Sequence, residues 1–104
     1  MRKYVIGRIK VKPGTRDAFA SGRAAYVAAT RAHAGVVYFE QAFDEDDPDG
    51  VIVIECWESP EAHAAHSNHP DMAALAPAFT GFVVQGHFEE IDVDKVRDVV
   101  FGGR

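Results

Sequence analysis

An α+β fold in the order β-α-β-β-α-β, the ferredoxin-like split βαβ arrangement with one antiparallel sheet and helices on a single face, is predicted by three observations. Residues 4–12, 36–43, 51–57 and 83–93 alternate or concentrate β-branched and aromatic side chains. After Pro13-Gly14, apolar residues recur every three or four positions, as on one helix face. The polar run DEDDPDG then separates two strands closely enough for a hairpin.

Each element has its own local cause. In the first strand Val5, Gly7, Ile9 and Val11 share one face, and Tyr4, Ile6, Arg8 and Lys10 the other. Pro13-Gly14 ends it, Thr15 offers a cap, and Phe19, Gly22, Tyr26, Ala29 and His33 mark a helix of about five turns. Gly22 suits a close approach of that helix to the sheet, and Gly35 suits its C-terminal stop. In VIVIECW, the residues Val51, Val53, Glu55 and Trp57 point one way. Ser59 is placed to cap a second helix, with Pro60 at its first position and Glu61 at its positive end. Pro70 disfavours helix at His69, so this helical region reads as two pieces. Phe79 and Gly81-Phe82 lead into the last strand, VVQGHFEEIDV, where Gln85, His87 and Glu89 are expected beside Gly7. The reading is one domain over residues 1–104, with a core at about 4–92 and a frayed tail at 93–104.

With 104 residues, 47% of them apolar, the chain is long enough for a core of its own. A net charge of -5 and no dense Lys/Arg stripe disfavour nucleic acid and anionic membrane as partners. Charges interrupt the N-terminal MRKYVIGRIKVK before a signal-peptide core could form, and no apolar run approaches a membrane span, so a cytoplasmic protein is expected. The lone Cys56 allows neither an internal disulfide nor a cysteine-based zinc site. Tyr4, Ile6, Ile52, Ile54, Cys56, Phe82, Val84 and Phe88 would leave the second sheet face apolar and uncovered, which predicts a homodimer packed sheet to sheet.

The chemistry concentrates in ECWESPEAHAAHSNHPDM, residues 55–72. Glu55 on an inward face is a candidate general base, because burial raises a carboxylate's pKa; pairing with Arg8 or Arg31, or capping a backbone group, would make it structural instead. Trp57 serves as a core anchor, a platform for a flat aromatic, or both. His63, His66 and His69 sit three apart, but the first and last lie about 240° apart around a helix, so the three do not converge on one metal ion, and none is expected. The acidic turn at 44–49 departs from a calcium loop, since in a loop counted from Glu45 the twelfth position is Cys56 and strand follows. Arg31 and His33 fall near the end of the first helix.

The segments IKVKPGT, AATRAHAGVVYFE and IECWESPEAHAAHSNHPDM resemble the antibiotic biosynthesis monooxygenase family, which includes quinol monooxygenases, over about residues 4–92. The resembling signature is E-x-W at a strand end, a polar cap, and a His nine residues after the Trp, here Glu55, Trp57 and His66. The resemblance implies a dimeric α+β barrel with a pocket between sheet and helices. It also implies oxidation of a quinol, phenol or polyketide-like aromatic by molecular oxygen without a cofactor. Glu55, His66 and Trp57 would then be catalytic, with Gly7, Tyr26, Trp57, His63, Met72, Phe79 and His87 lining the substrate pocket. A non-catalytic small-molecule-binding protein of the same fold is the alternative. Haem degradation fits less well, since the Asn and His used by haem-degrading relatives fall here on Gly7 and Ala76.

Overall fold

Pairing on both edges of the first strand organises the sheet. In the computed structural model, which describes residues 1–103, the elements are β1 (Arg2–Val11), α1 (Arg16–Arg31), β2 (Val36–Phe43), β3 (Gly50–Trp57), α2 (Pro60–Ser67), α3 (Pro70–Leu75), α4 (Pro77–Thr80) and β4 (Val83–Val93). β1 runs antiparallel to β3 from Lys3↔Trp57 to Lys10↔Gly50, and to β4 from Arg2↔Val93 to Val11↔Val83. β2 joins the free edge of β3, giving the order β2-β3-β1-β4. This is the ferredoxin-like antiparallel sheet that the alternating patterns predict.

The core lies between one sheet face and the helices. Val5, Ile9, Val11, Val51, Val53 and Trp57 are buried there, with Phe19 and Val27 of α1 and Phe79 of α4 against them. The buried stripe of α1 is Phe19, Arg23, Val27 and Thr30, with Tyr26 half-buried, and not the 19-22-26-29-33 stripe the apolar spacing suggests. The helix is turned because a guanidinium, which a hydropathy count treats as solvent-facing, occupies the middle of the buried face. Gly22 does permit a close approach, but to α4: a Cβ at this position would run into the Ala78 carbonyl oxygen.

Helix ends follow the sequence in part. Ser59 Oγ accepts the Ala62 N–H at 3.1 Å, as expected of the cap. Thr15 turns its hydroxyl the other way and donates to Lys12 O at 2.6 Å. The second helical region breaks at Pro70, where His69 Nδ1 accepts the Asp71 N–H at 3.0 Å, and breaks again before Pro77, so it has three pieces and not two. In the hairpin the carboxylates are spent on the turn itself: Asp44 accepts from Asp46 N–H and Asp47 from Asp49 N–H, each at 2.9 Å.

The last strand corrects the sequence reading most. Lys10 pairs with Gln85 and Val11 with Val83, leaving Val84 as the extra residue of a bulge. Downstream of it Arg8 faces His87 and Ile6 faces Glu89, so Gln85, His87 and Glu89 lie on the open face. Gly7 is opposite Phe88 and Val5 opposite Glu90, which puts Phe88 on the helix side. A Cβ at Gly7 would clash with the Phe88 ring, so the bare glycine is what lets that ring lie across the sheet. The open face keeps Tyr38 and Ile54 exposed, with Cys56 fully buried between its pairing partners Tyr4 and Tyr38. Residues 94–103 form no helix or strand, and Val99, Val100 and Phe101 are exposed. Among the described residues no helix is long and apolar enough to cross a membrane.

The joint between α1 and β2 offers a test of this packing. Gly35 has φ +83°, and a Cβ there would sit 2.5 Å from the Ala62 Cβ of α2, whereas Gly14 has φ +76° with open space around it. Gly35→Ala should therefore destabilise by about 2 kcal/mol or more and Gly14→Ala by about 1 kcal/mol, read as shifts in the urea midpoint.

Candidate active site

Alternation along β3 delivers Glu55 and Trp57 to the same side two residues apart. Trp57 Nε1–H donates to Glu55 Oε1 at 2.9 Å, and both residues are buried. Desolvation pushes the Glu55 carboxyl above its ordinary 4.5, against smaller downward pulls from the Trp57 N–H and the Arg23 charge. Glu55 pairs with neither arginine considered from sequence. Arg8 lies on the open face, and Arg31 donates to Phe39 O at 2.9 Å and to Glu40 Oε2 at 3.0 Å.

Helix α2 brings two histidines over this pair. His63 Nε2 lies 3.9 Å from Glu55 Oε1, and its Nδ1 lies 3.8 Å from Glu90 Oε1. Glu90 is itself ion-paired with Lys3, which holds its pKa down. Burial, then the Lys3 charge, lowers the His63 pKa. His66 stacks on the Trp57 indole with ring centroids 4.6 Å apart and planes inclined by 29°. Burial, followed by repulsion from His33, His63 and His69, lowers its pKa to about 4. His66 Nδ1 is 3.0 Å from His33 Nδ1, so one of the two nitrogens carries the shared proton.

Glu55, Trp57 and His63 thus form one contact set, with His66 attached through the indole. Tyr26 and Phe79 meet edge to face at 5.1 Å, and Tyr26 reaches the His66 ring at 6.3 Å. Met72 Sδ accepts from Thr30 Oγ1 at 3.7 Å. These three belong to an apolar layer behind His66. Gly7 is covered by Phe88, and His87, expected in the pocket, is on the far side of the sheet. The stacked Trp57 and His66 rings occupy the space beneath α2 where sequence reasoning placed a chamber. The β4 edge of the helix-side face is bare, with Gly86, Phe88 and Glu90 exposed, while Val5, Gly7, Ile9 and Val11 of β1 are buried. Two other hollows, of about 340 and 350 Å³, lie at the hairpin end of the sheet and beside His33, His66 and His69.

Sequence reasoning missed Arg23. It is only 5% exposed, yet its Nε has no hydrogen-bond partner, while Nη1 donates to Gln41 Oε1 at 3.0 Å. The guanidinium carbon sits 5.3 to 5.9 Å from the ring centres of Phe39, Tyr26, Phe79 and Phe19. Burial lowers its pKa, opposed by attraction to Tyr26 and Glu55. Its spacing, four residues after Phe19 and four before Val27, was the available signal.

These elements fall within a match to known proteins: the family model for antibiotic biosynthesis monooxygenase matches residues 3–78. The chain belongs to the antibiotic biosynthesis monooxygenase family. Solved structures agree in fold. A candidate antibiotic biosynthesis monooxygenase from Chloroflexus aurantiacus is 23% identical with a TM-score of 0.79, over 96% of this chain and 100% of its own. Rv0793 from Mycobacterium tuberculosis is 18% identical with a TM-score of 0.79, over 93% and 100%. A further structure described as an antibiotic biosynthesis monooxygenase is 24% identical with a TM-score of 0.78, over 91% and 100%. Comparison with curated proteins gives no match. Within this family member, the match runs from β1 to the start of α4 and includes every residue of the Glu55–His66 set.

The His66 shift makes stability depend on pH. In the unfolded chain His66 takes up its proton near 6.5, but in the folded protein only near 4. Its contribution is complete above pH 6.5 and is lost as the pH falls from there toward 4. Glu55, with its pKa raised, works in the opposite sense and gains stability as acid protonates it. Net loss from His66 should be on the order of 2 kcal/mol after solvent screening, and His66→Gln should flatten the fall in urea midpoint across that window.

Proposed function

We propose that this family member is a monooxygenase that oxidises a quinol, phenol or polyketide-like aromatic with molecular oxygen, without a cofactor, and that Glu55 is the base. The observation that carries the reading is the buried Glu55 carboxylate, whose pKa is raised by burial while the Trp57 N–H fixes one of its oxygens. A base works best when its pKa approaches the working pH, and Glu55 is shifted toward neutrality. His66, near 4 and bonded to His33, is shifted away from it and is assigned to holding the indole.

In this reading the aromatic guest approaches from the bare β4 edge, past the half-exposed Phe88 ring that covers Gly7, with His63 at the entrance. Glu55 removes a proton from the substrate hydroxyl or activated methylene. The resulting anion gives an electron to oxygen, and the radical pair recombines. One oxygen atom enters the ring carbon and the other leaves as water, so a quinol becomes a hydroxyquinone, or an anthrone-type methylene a carbonyl, with no outside reductant. Arg23, buried across from Glu55 and short of one partner, offsets the negative charge that accumulates. Tyr26, Met72 and Phe79 stiffen the layer behind His66.

A non-catalytic binding protein is the second reading, favoured by the stacked rings that fill the space under α2. Oxygen uptake with a panel of quinols separates the two. The enzyme should consume oxygen, and Glu55→Gln should lower kcat at least 100-fold, with kcat/KM in the wild type rising with pH through a value above the ordinary 4.5 of a Glu. Trp57→Phe keeps a ring but removes the N–H that lowers the Glu55 pKa, so it should move that limb to higher pH. Guest binding without uptake, or uptake untouched by Glu55→Gln, contradicts the assignment.

We also propose that two copies close a barrel through the open sheet face, as a cytoplasmic homodimer. Ile54 and Tyr38, 42% and 38% exposed on that face, support this. Sedimentation at micromolar concentration should give twice the 11.4 kDa chain mass, and Ile54→Asp should give monomer.

A further inference from the structure

The joint where α1 ends against the α2–α3 break gathers side chains that the oxidation chemistry above leaves unused. His33 lies just past the C-cap of α1, His69 is the N-cap of α3, and Asp71 is in its first turn. One ligand atom from each lies within 4.8 Å of the other two. His33 Nε2 and His69 Nδ1 are each 3.4 Å from Asp71 Oδ2. Ligands about 2.05 Å from a tetrahedral ion stand about 3.4 Å apart, whereas octahedral neighbours stand about 3.0 Å apart. A hollow of about 350 Å³ lies against the two imidazoles, and the Asp71 side chain is half-exposed, so the group is reached by solvent.

We propose that His33, His69 and Asp71 form a binding site for a divalent transition-metal ion of the zinc type, with water as the fourth ligand. Two imidazoles and a carboxylate without a thiolate suit Zn²⁺, Co²⁺ or Ni²⁺, and exclude a site built for calcium or magnesium, which take oxygen ligands. His33 is already oriented for this. Its Nδ1 faces His66 Nδ1 at 3.0 Å, so a proton held there is donated to His66 and leaves Nε2 free for the metal. This is the outer hydrogen bond that ligating histidines ordinarily make. The His69 side chain is 43% exposed and has room to turn. Ligation through its Nδ1 displaces the bond from Asp71 N–H, while ligation through Nε2 preserves it. The helical geometry that separates His63 from His69 still holds, because the second imidazole comes from the end of α1 and not from α2. A bound ion would tie α1 to α3 and fix the tautomer of the His33–His66 pair behind the indole. It stands independently of the oxidation chemistry, through which no metal step is routed.

Titration of the full-length metal-free protein with Co²⁺, read by visible absorption, tests the site, followed by Zn²⁺ competition and calorimetry. The expected result is one ion per chain, intense tetrahedral Co²⁺ bands, and a rise in Tm with Zn²⁺. His69→Asn, which keeps a cap acceptor, and Asp71→Asn should each weaken Zn²⁺ binding at least tenfold, while His87→Gln on the opposite sheet face should not change it. Circular dichroism checks that both variants fold, and either one suffices. The site is disproved if cobalt keeps its weak hexa-aquo spectrum, if both ligand variants bind Zn²⁺ as tightly as the wild type, or if His87→Gln weakens binding equally.

Discussion

The hydrogen bond from the Trp57 indole to Glu55 is the constraint around which the rest is arranged. A carboxylate on the core side of a central strand is costly, and one N–H at 2.9 Å does not repay the loss of water: the pKa stays raised. The fold therefore holds a group that works against its own stability at neutral pH. It is kept there by close packing, since Trp57 is fully buried between the sheet on one side and His66 on the other. Strain of this electrostatic kind is a common mark of functional sites, because a carboxylate that would rather be neutral is one that takes protons readily.

Arg23 belongs to the same arrangement. Its charge lies among four aromatic rings and attracts Glu55 without being hydrogen-bonded to it. A direct salt bridge would have pulled the Glu55 pKa down and removed its basicity; a cation held at a remove lowers the cost of burying the anion and leaves the proton affinity high. The rings that surround the guanidinium also explain why α1 turns its Arg23 inward: quadrupole attraction from several faces replaces part of the lost hydration.

Much of this was legible in the sequence, and the failures have identifiable causes. Alternation in β1 and β3 placed Val5, Ile9, Val53, Glu55 and Trp57 on the correct face, because in central strands packing and periodicity agree. The Ser59 cap and the break at Pro70 were equally readable, being local chemistry. β4 was misread because its parity is set by the bulge at Val84, and a bulge is decided by pairing with β1, which no count along one strand reveals. Arg23 was passed over because hydropathy assigns every arginine to water. Likewise the meeting of His33 with His66, His69 and Asp71 depends on how the end of α1 lies against the α2–α3 joint, a tertiary fact with no periodic trace.

The exchange of His87 for Phe88 on the helix side changes the chemistry that the bare edge of the sheet can support. An imidazole beside Gly7 would have offered a second base and a charge that follows pH; a phenyl ring offers neither. What remains near Glu55 is an apolar floor of Val5, Gly7 and Phe88, with polar groups confined to one edge, where His63, Glu90 and Lys3 hold one another. On the proposed function, a surface of that kind suits a flat, apolar guest, with the buried Glu55 carboxyl as the acceptor for its hydroxyl. Because the Phe88 ring depends on the missing Cβ of Gly7 for its place, the floor is set by a glycine two residues along β1 from Val5, the pairing partner of Glu55, and any side chain at that glycine would reshape the floor while leaving the Glu55–Trp57 bond intact.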